Sequence, residues 1–122
     1  MSKQAIQEPT FLILTALAAG PQHGYSIMTD VARISDDRVK LRAGTLYAAL
    51  DRLTSEGLID VDHEEIVDGR LRRYYRLTPA GTKVLAEEVA RMRANASIAT
   101  RRLNRLATDF AGGSTDLAGG MA

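Results

Sequence analysis

Eight apolar residues, Leu85, Val89, Met92, Ala96, Ala99, Leu103, Leu106 and Phe110, follow one another at spacings of 4, 3, 4, 3, 4, 3 and 4. An unbroken heptad seam of this kind specifies an α-helix that packs lengthwise against another helix. Thr78-Pro79 gives it a clean start, a hydroxyl N-cap followed by proline at the first helical position. A helix over residues 79–110 would run roughly 45–50 Å at about 1.5 Å per residue. The chain has 122 residues, of which 45% are hydrophobic, enough for one modest core. A domain of that size cannot cover so long a seam, so the seam predicts a second copy of the chain.

The residues before Thr78 divide into three short helical stretches and then a change of period. Residues 6–19 read as a helix that is apolar most of the way round, with Phe11, Leu14, Leu17 and Ala18 on one face and Leu12 and Ile13 elsewhere. Such a helix needs cover on two sides, and Phe11 and Leu14 are assigned with the seam to a dimer interface. A second helix opens at His23-Gly24 and closes at Ser35-Asp36-Asp37, with Tyr25, Met28, Val31 and Ala32 expected inward. The third runs from Ala43 to Glu56 and stops at Gly57, a suitable residue just past a helix end. Leu46, Leu50 and Leu53 form its inner stripe. Gly44, Thr45, Ala48, Asp51, Arg52 and Ser55 lie outward, with Tyr47 on one flank.

Two strands follow, 58–67 and 70–77, joined at Asp68-Gly69. A two-residue loop would set Val61 against Arg76 and Leu77 against Asp60, mixing the faces. A three-residue loop, Val67-Asp68-Gly69, pairs Ile59 with Leu77, Val61 with Tyr75, Asp60 with Arg76 and Glu64 with Arg72, and is the register expected. The acidic run thus answers part of the arginine run, and positive charge is left near the hairpin tip. Beyond Phe110, Gly112-Gly113-Ser114 and Gly119-Gly120 predict a flexible tail.

Helix, helix, helix, hairpin is the order of a winged helix, in which the third helix enters a major groove and the hairpin meets the flanking backbone. The fold class expected is mainly α with a two-stranded wing: a winged helix-turn-helix over residues 1–78, a dimerisation helix over 79–110 and a tail over 111–122. The DNA-facing residues follow from that frame. Gly44, Thr45 and Ala48 let the third helix come close to base edges, Thr45 and Tyr47 can hydrogen-bond to phosphate or base, and Arg52 is the long cation placed to read a base. Lys40 and Arg42 precede the helix and suit backbone phosphate, as do Arg70, Arg72 and Arg73 on the wing. Asp51 would repel phosphate and is expected to hold Arg52 or Lys40.

Several motifs also resemble the PadR family of bacterial transcriptional regulators: His23-Gly24-Tyr25 after Gly20-Pro21, Gly44-Thr45-Leu46-Tyr47 with Leu50 and Leu53, Glu56-Gly57-Leu58-Ile59, Arg72 to Thr78, and Gly81. The likeness spans about residues 12–85. One departure is Ala48, where many members carry proline. The resemblance implies a homodimeric winged-helix repressor whose C-terminal helix serves dimerisation, and the working expectation adds an output set by a small ligand or other signal.

Other classes are weaker. Without Cys there is no disulfide framework, cysteine zinc site or thiol nucleophile. No phosphate-cradling glycine loop or serine in a strained turn is present. His23 reads as a helix-capping residue, and His63, expected beside Arg73, has no second ligand at metal spacing. No catalysis, cofactor or metal is expected. The longest apolar stretch is too short to span a bilayer and the first residues lack a signal-peptide pattern, so a cytoplasmic location is expected. Two competing readings stay open: a winged-helix module that binds another protein and never touches DNA, and a dimeric small-molecule binder. Exposed apolar residues on the third helix or wing would favour the protein partner.

Overall fold

The computed structural model describes residues 6–111; most of the tail expected at 111–122 lies outside them. The first helix, α1 (Glu8–Ala18), has proline in its first turn and Glu8 beside its positive end. Leu12, Ile13, Leu14, Ala16 and Leu17 are all buried, the two-sided burial that the apolar composition called for. Leu14 is wholly enclosed by the chain's own core. It therefore offers a partner no surface, which corrects its assignment to the dimer interface.

A two-residue strand, β1 (Gln22–His23), precedes α2 (Gly24–Ile34). Ile27 and Val31 carry the inner face of α2, while Tyr25, expected inward, is 72% exposed. The helix closes on a left-handed turn: the Asp37 amide donates to the Ala32 carbonyl at 2.7 Å, with Asp36 at φ 55° and Asp37 at φ 64°. The buried Ser35 hydroxyl donates to the Val31 carbonyl at 2.9 Å and accepts from the Val39 amide at 3.0 Å, which sets the path into α3 (Ala43–Ser55). Leu46, Leu50 and Leu53 are fully buried as expected. Gly57, at φ 77°, supplies the same left-handed exit for α3, and the Leu58 amide returns to the Leu53 carbonyl at 3.0 Å.

The hairpin strands are β2 (Ile59–Val67) and β3 (Arg70–Leu77), and β1 adds to β3 to give a three-stranded antiparallel sheet in the order β1-β3-β2. Both candidate registers occur, each in one half of the hairpin. At the base, Ile59 pairs with Leu77, Asp60 with Arg76 and Val61 with Tyr75, as the three-residue loop required. Beyond Val61 the register shifts by one, and His63 pairs with Tyr74, Glu64 with Arg73, Glu65 with Arg72 and Val67 with Arg70. The loop is therefore Asp68-Gly69 alone, both at positive φ, the geometry of a tight hairpin turn. The extra residue at Asp62 reconciles an inward-facing base with that turn. Glu64 thus faces Arg73 rather than Arg72.

The helix α4 (Pro79–Ala111) begins at a node where three elements meet. The Thr78 hydroxyl donates to the Gly57 carbonyl at 2.6 Å and accepts from the Gly81 amide at 3.0 Å. Gly81 lies so close to the start of β2 that a Cβ there would sit 2.0 Å from the Leu58 carbonyl oxygen. Among the described residues, those up to Glu88 form one compact unit and those from Val89 onward another. Leu85 packs on the core of the first. In the second, Met92, Ala96, Ala99, Leu103 and Leu106 are exposed, and Phe110 is 83% exposed. Among the described residues no helix is long and apolar enough to cross a membrane.

Candidate nucleic-acid interface

The leucine stripe that sinks α3 into the core turns its opposite face outward, so Gly44, Thr45, Ala48 and Asp51 are all exposed. The flanks of the helix are tied down on both sides. On one, the Tyr47 ring lies across Gly24 at the start of α2, where a Cβ would come within 2.3 Å of its hydroxyl oxygen. Only glycine at 24 lets that ring lie there, and Tyr47 stays 48% exposed. On the other flank, Arg52 Nη2 donates to the Thr10 hydroxyl at 2.9 Å and Nη1 lies 3.6 Å from Glu56. A base contact from Arg52 would require it to leave Thr10.

Between this face and the wing lies a cleft of about 870 Å³ whose walls include Tyr25, Tyr47 and Asp51 from the helices and Arg70, Arg72 and Arg73 from β3. Arg73 is held by Glu64 at 2.9 Å, and that hydrogen bond raises its pKa above the usual guanidinium value. Arg70 and Arg72 have no ion-pair partner among the described residues. Lys40 and Arg42 are exposed on the segment before α3 and are likewise unpaired among the described residues. The cleft thus gathers Tyr47 and the three wing arginines. Lys40, Arg42, Thr45, Ala48 and Arg52 do not line it.

Two cleft features were not anticipated. Tyr25 was read as core because it falls one turn from Met28, yet the inward side of α2 is set by Ile27 and Val31. Its exposed ring is a candidate contact residue that only the rotation of α2 reveals. Asp51 was expected to hold Arg52 or Lys40 and holds neither; Arg52 is committed to Thr10 and Glu56 instead. The tip of the wing also carries an apolar pair, Ile66 and Leu71, opposite each other across the strands and 74% and 60% exposed.

His23 caps α2: its Nδ1 accepts from the Ser26 amide at 3.4 Å. Burial, and secondly the Arg72 charge, lower its pKa from 6.5. Its ring meets the edge of Tyr74 at a centroid distance of 5.2 Å, and His63 stacks on the other side of Tyr74 at 4.3 Å. His63 therefore lies against Tyr74 and not Arg73, with Asp62 at 2.6 Å from its Nδ1. Among the described residues no cluster of three His, Asp or Glu side chains could hold a metal ion.

A sequence model of the transcriptional regulator PadR-like family matches residues 13–87. The curated Transcriptional regulator Rv3488 of Mycobacterium tuberculosis is 36% identical over 107 residues, covering 88% of this chain and 86% of that protein. The crystal structure of a PadR family transcription regulator from Clostridium difficile is 26% identical, with a TM-score of 0.66 over 80% of this chain and 99% of its own. Bacillus subtilis PadR, solved in complex with operator DNA, is 24% identical with a TM-score of 0.61, over 68% of this chain and 47% of that one. At that identity the likeness to the complex is one of fold.

Proposed function

This chain belongs to the PadR-like family of transcriptional regulators, and from that premise we propose that it is a homodimeric, sequence-specific DNA-binding repressor acting in the cytoplasm. One observation carries the reading. The exposed α3 residues Tyr47 and Asp51 and the unpaired wing cations Arg70 and Arg72 border the same cleft, so the exposed helix and phosphate-seeking charge lie side by side. A protein of the same fold, B. subtilis PadR, has been solved in complex with operator DNA, which supports DNA as the partner. The exposed seam residues from Met92 to Phe110 support dimerisation, because a stripe of that length left in water would be costly.

In functional terms, residues 1–78 bind DNA and residues 79–110 dimerise. Release from the operator answers a small ligand or another signal. Binding-site selection from random duplexes tests the whole reading: it expects enrichment of a two-fold-symmetric site. A second reading, a module that binds another protein, draws on Ile66 and Leu71 at the wing tip, since exposed apolar pairs suit a protein surface better than phosphate. Selection that enriches nothing would favour that reading.

A further inference from the structure

The outward face of α3 holds a carboxylate for which the fold has no use. Asp51 is exposed and, among the described residues, has no hydrogen-bond or ion-pair partner. It lies in the second half of α3, away from the N-terminal end where the helix dipole would favour a negative charge, and aspartate is a poor helix former. In a cleft walled by Arg70, Arg72 and Arg73 it subtracts from the field that would attract phosphate. A residue that helps neither stability nor general DNA affinity is explained by what it can accept from outside.

Its neighbours on the helix indicate how close that outside partner comes. Gly44 and Ala48 share its stripe at helical spacing, seven and three residues earlier. A Cβ at Gly44 would meet nothing within 4 Å, so no internal packing demands glycine there. Glycine is also a poorer helix former than alanine. The missing side chain makes sense if another molecule's surface approaches the backbone, and a short side chain such as Asp51 can reach a base edge only under such an approach.

Resting on the DNA-binding reading above, we propose that Asp51 is a specificity-determining residue that accepts a hydrogen bond from the N4 amino group of a cytosine in the major groove. A carboxylate is an acceptor only. Guanine shows it two acceptors, thymine one, and adenine a donor flanked by the N7 acceptor; cytosine alone presents its amino donor without a competing lone pair. The same charge penalises phosphate contacts that do not place a cytosine beneath it. Asp51 therefore raises the ratio of specific to random binding from both sides.

The test is binding-site selection with the wild-type chain, Asp51→Ala and Asp51→Asn, followed by titration of each against the wild-type operator and a scrambled duplex at one salt concentration. Thermal melts confirm that both variants fold, as expected for an exposed helix position. The wild type should show a cytosine in each half-site. Asp51→Ala should lose that preference, and Asp51→Asn should move it toward adenine. Both variants should bind the scrambled duplex more tightly, and the operator preference of Asp51→Ala should fall about tenfold. Unchanged half-site sequences, or an unchanged operator preference, would overturn the assignment. If the wild type itself enriches no site, the DNA-binding reading fails and takes the Asp51 assignment with it.

Discussion

Arg52 reaches across 42 positions of sequence to donate a hydrogen bond to the Thr10 hydroxyl, 2.9 Å away. Thr10 lies in the first turn of α1 and is itself buried. The bond therefore ties α3 to α1, while the buried leucine stripe sets which residues of α3 face outward.

Arg52→Ala is accordingly expected to act on stability rather than on base reading. It removes a hydrogen bond and the long Glu56 pair, and should lower stability by about 1 kcal/mol, nearly all from the Thr10 bond because exposed pairs contribute little. Operator preference over a scrambled duplex should stay within a few tenths of a kcal/mol of wild type, as for an exposed side chain that reads no base. A selective operator loss of roughly 1–3 kcal/mol would mean that Arg52 leaves Thr10 on DNA and reads a base, as its position on the helix had suggested.

Two glycines should respond to alanine differently. At Gly81 the added methyl would strike the Leu58 backbone carbonyl, which cannot rotate away. Urea denaturation should show a loss of about 1–3 kcal/mol, the usual cost of overpacking. At Gly44 there is open space, and alanine should leave stability unchanged or slightly raised while weakening operator binding. A folded Gly44→Ala that binds DNA as well as wild type would remove the argument for close backbone approach.

Stability should fall as the solution is acidified through the histidine range. The folded-state pKa of His23 is lowered from 6.5, so below about pH 6.5 the unfolded chain takes up the proton first. The stabilisation is complete above that pH and declines toward the folded pKa. Asp62, lowered from 3.8 chiefly by its hydrogen bond to His63, adds stability that is lost only as the pH falls below that value. His23→Asn keeps a capping side chain and removes the titration. Denaturation midpoints at pH 7.5 and 5 should differ less for the variant than for wild type; an equal difference would clear His23 of the effect.

Much of this architecture is legible in the residues. Thr78-Pro79, the heptad spacing, the leucine stripe of α3 and the Asp68-Gly69 turn each rest on local chemistry that a short window contains. What stayed hidden depends on contacts between windows. The shift at Asp62 is a compromise between the turn and the base of the hairpin, and neither end alone reveals it. The strand at Gln22–His23 is two residues long and carries no alternation to read. Tyr25 and Leu14 were misplaced for one reason: an apolar residue on a mostly apolar helix does not say which neighbour covers it. For the interface, the cations could be named from sequence, but their pairing could not. Only the three-dimensional arrangement separates Arg73, held by Glu64, from Arg70 and Arg72.

Leu103→Asp should dissociate the proposed dimer. An aspartate in the seam would be buried without a partner, at a cost of several kcal/mol, and the helices would separate instead. Light scattering should report a dimer for the wild type at micromolar concentration and a monomer for the variant, with operator affinity falling as the second half-site is lost. A wild-type monomer at that concentration would refute the dimer assignment.

The most direct measurement is a hydroxyl-radical footprint of the wild-type protein on its selected site. The account predicts two protected patches related by two-fold symmetry, with centres about one helical turn, roughly 34 Å, apart. It also predicts that the flanking protection disappears with Arg70→Ala while the central pattern persists at higher protein concentration. A single unsymmetric patch, or protection that does not distinguish the selected site from scrambled DNA, would contradict a symmetric dimer that reads sequence through α3 and grips the backbone through its wing.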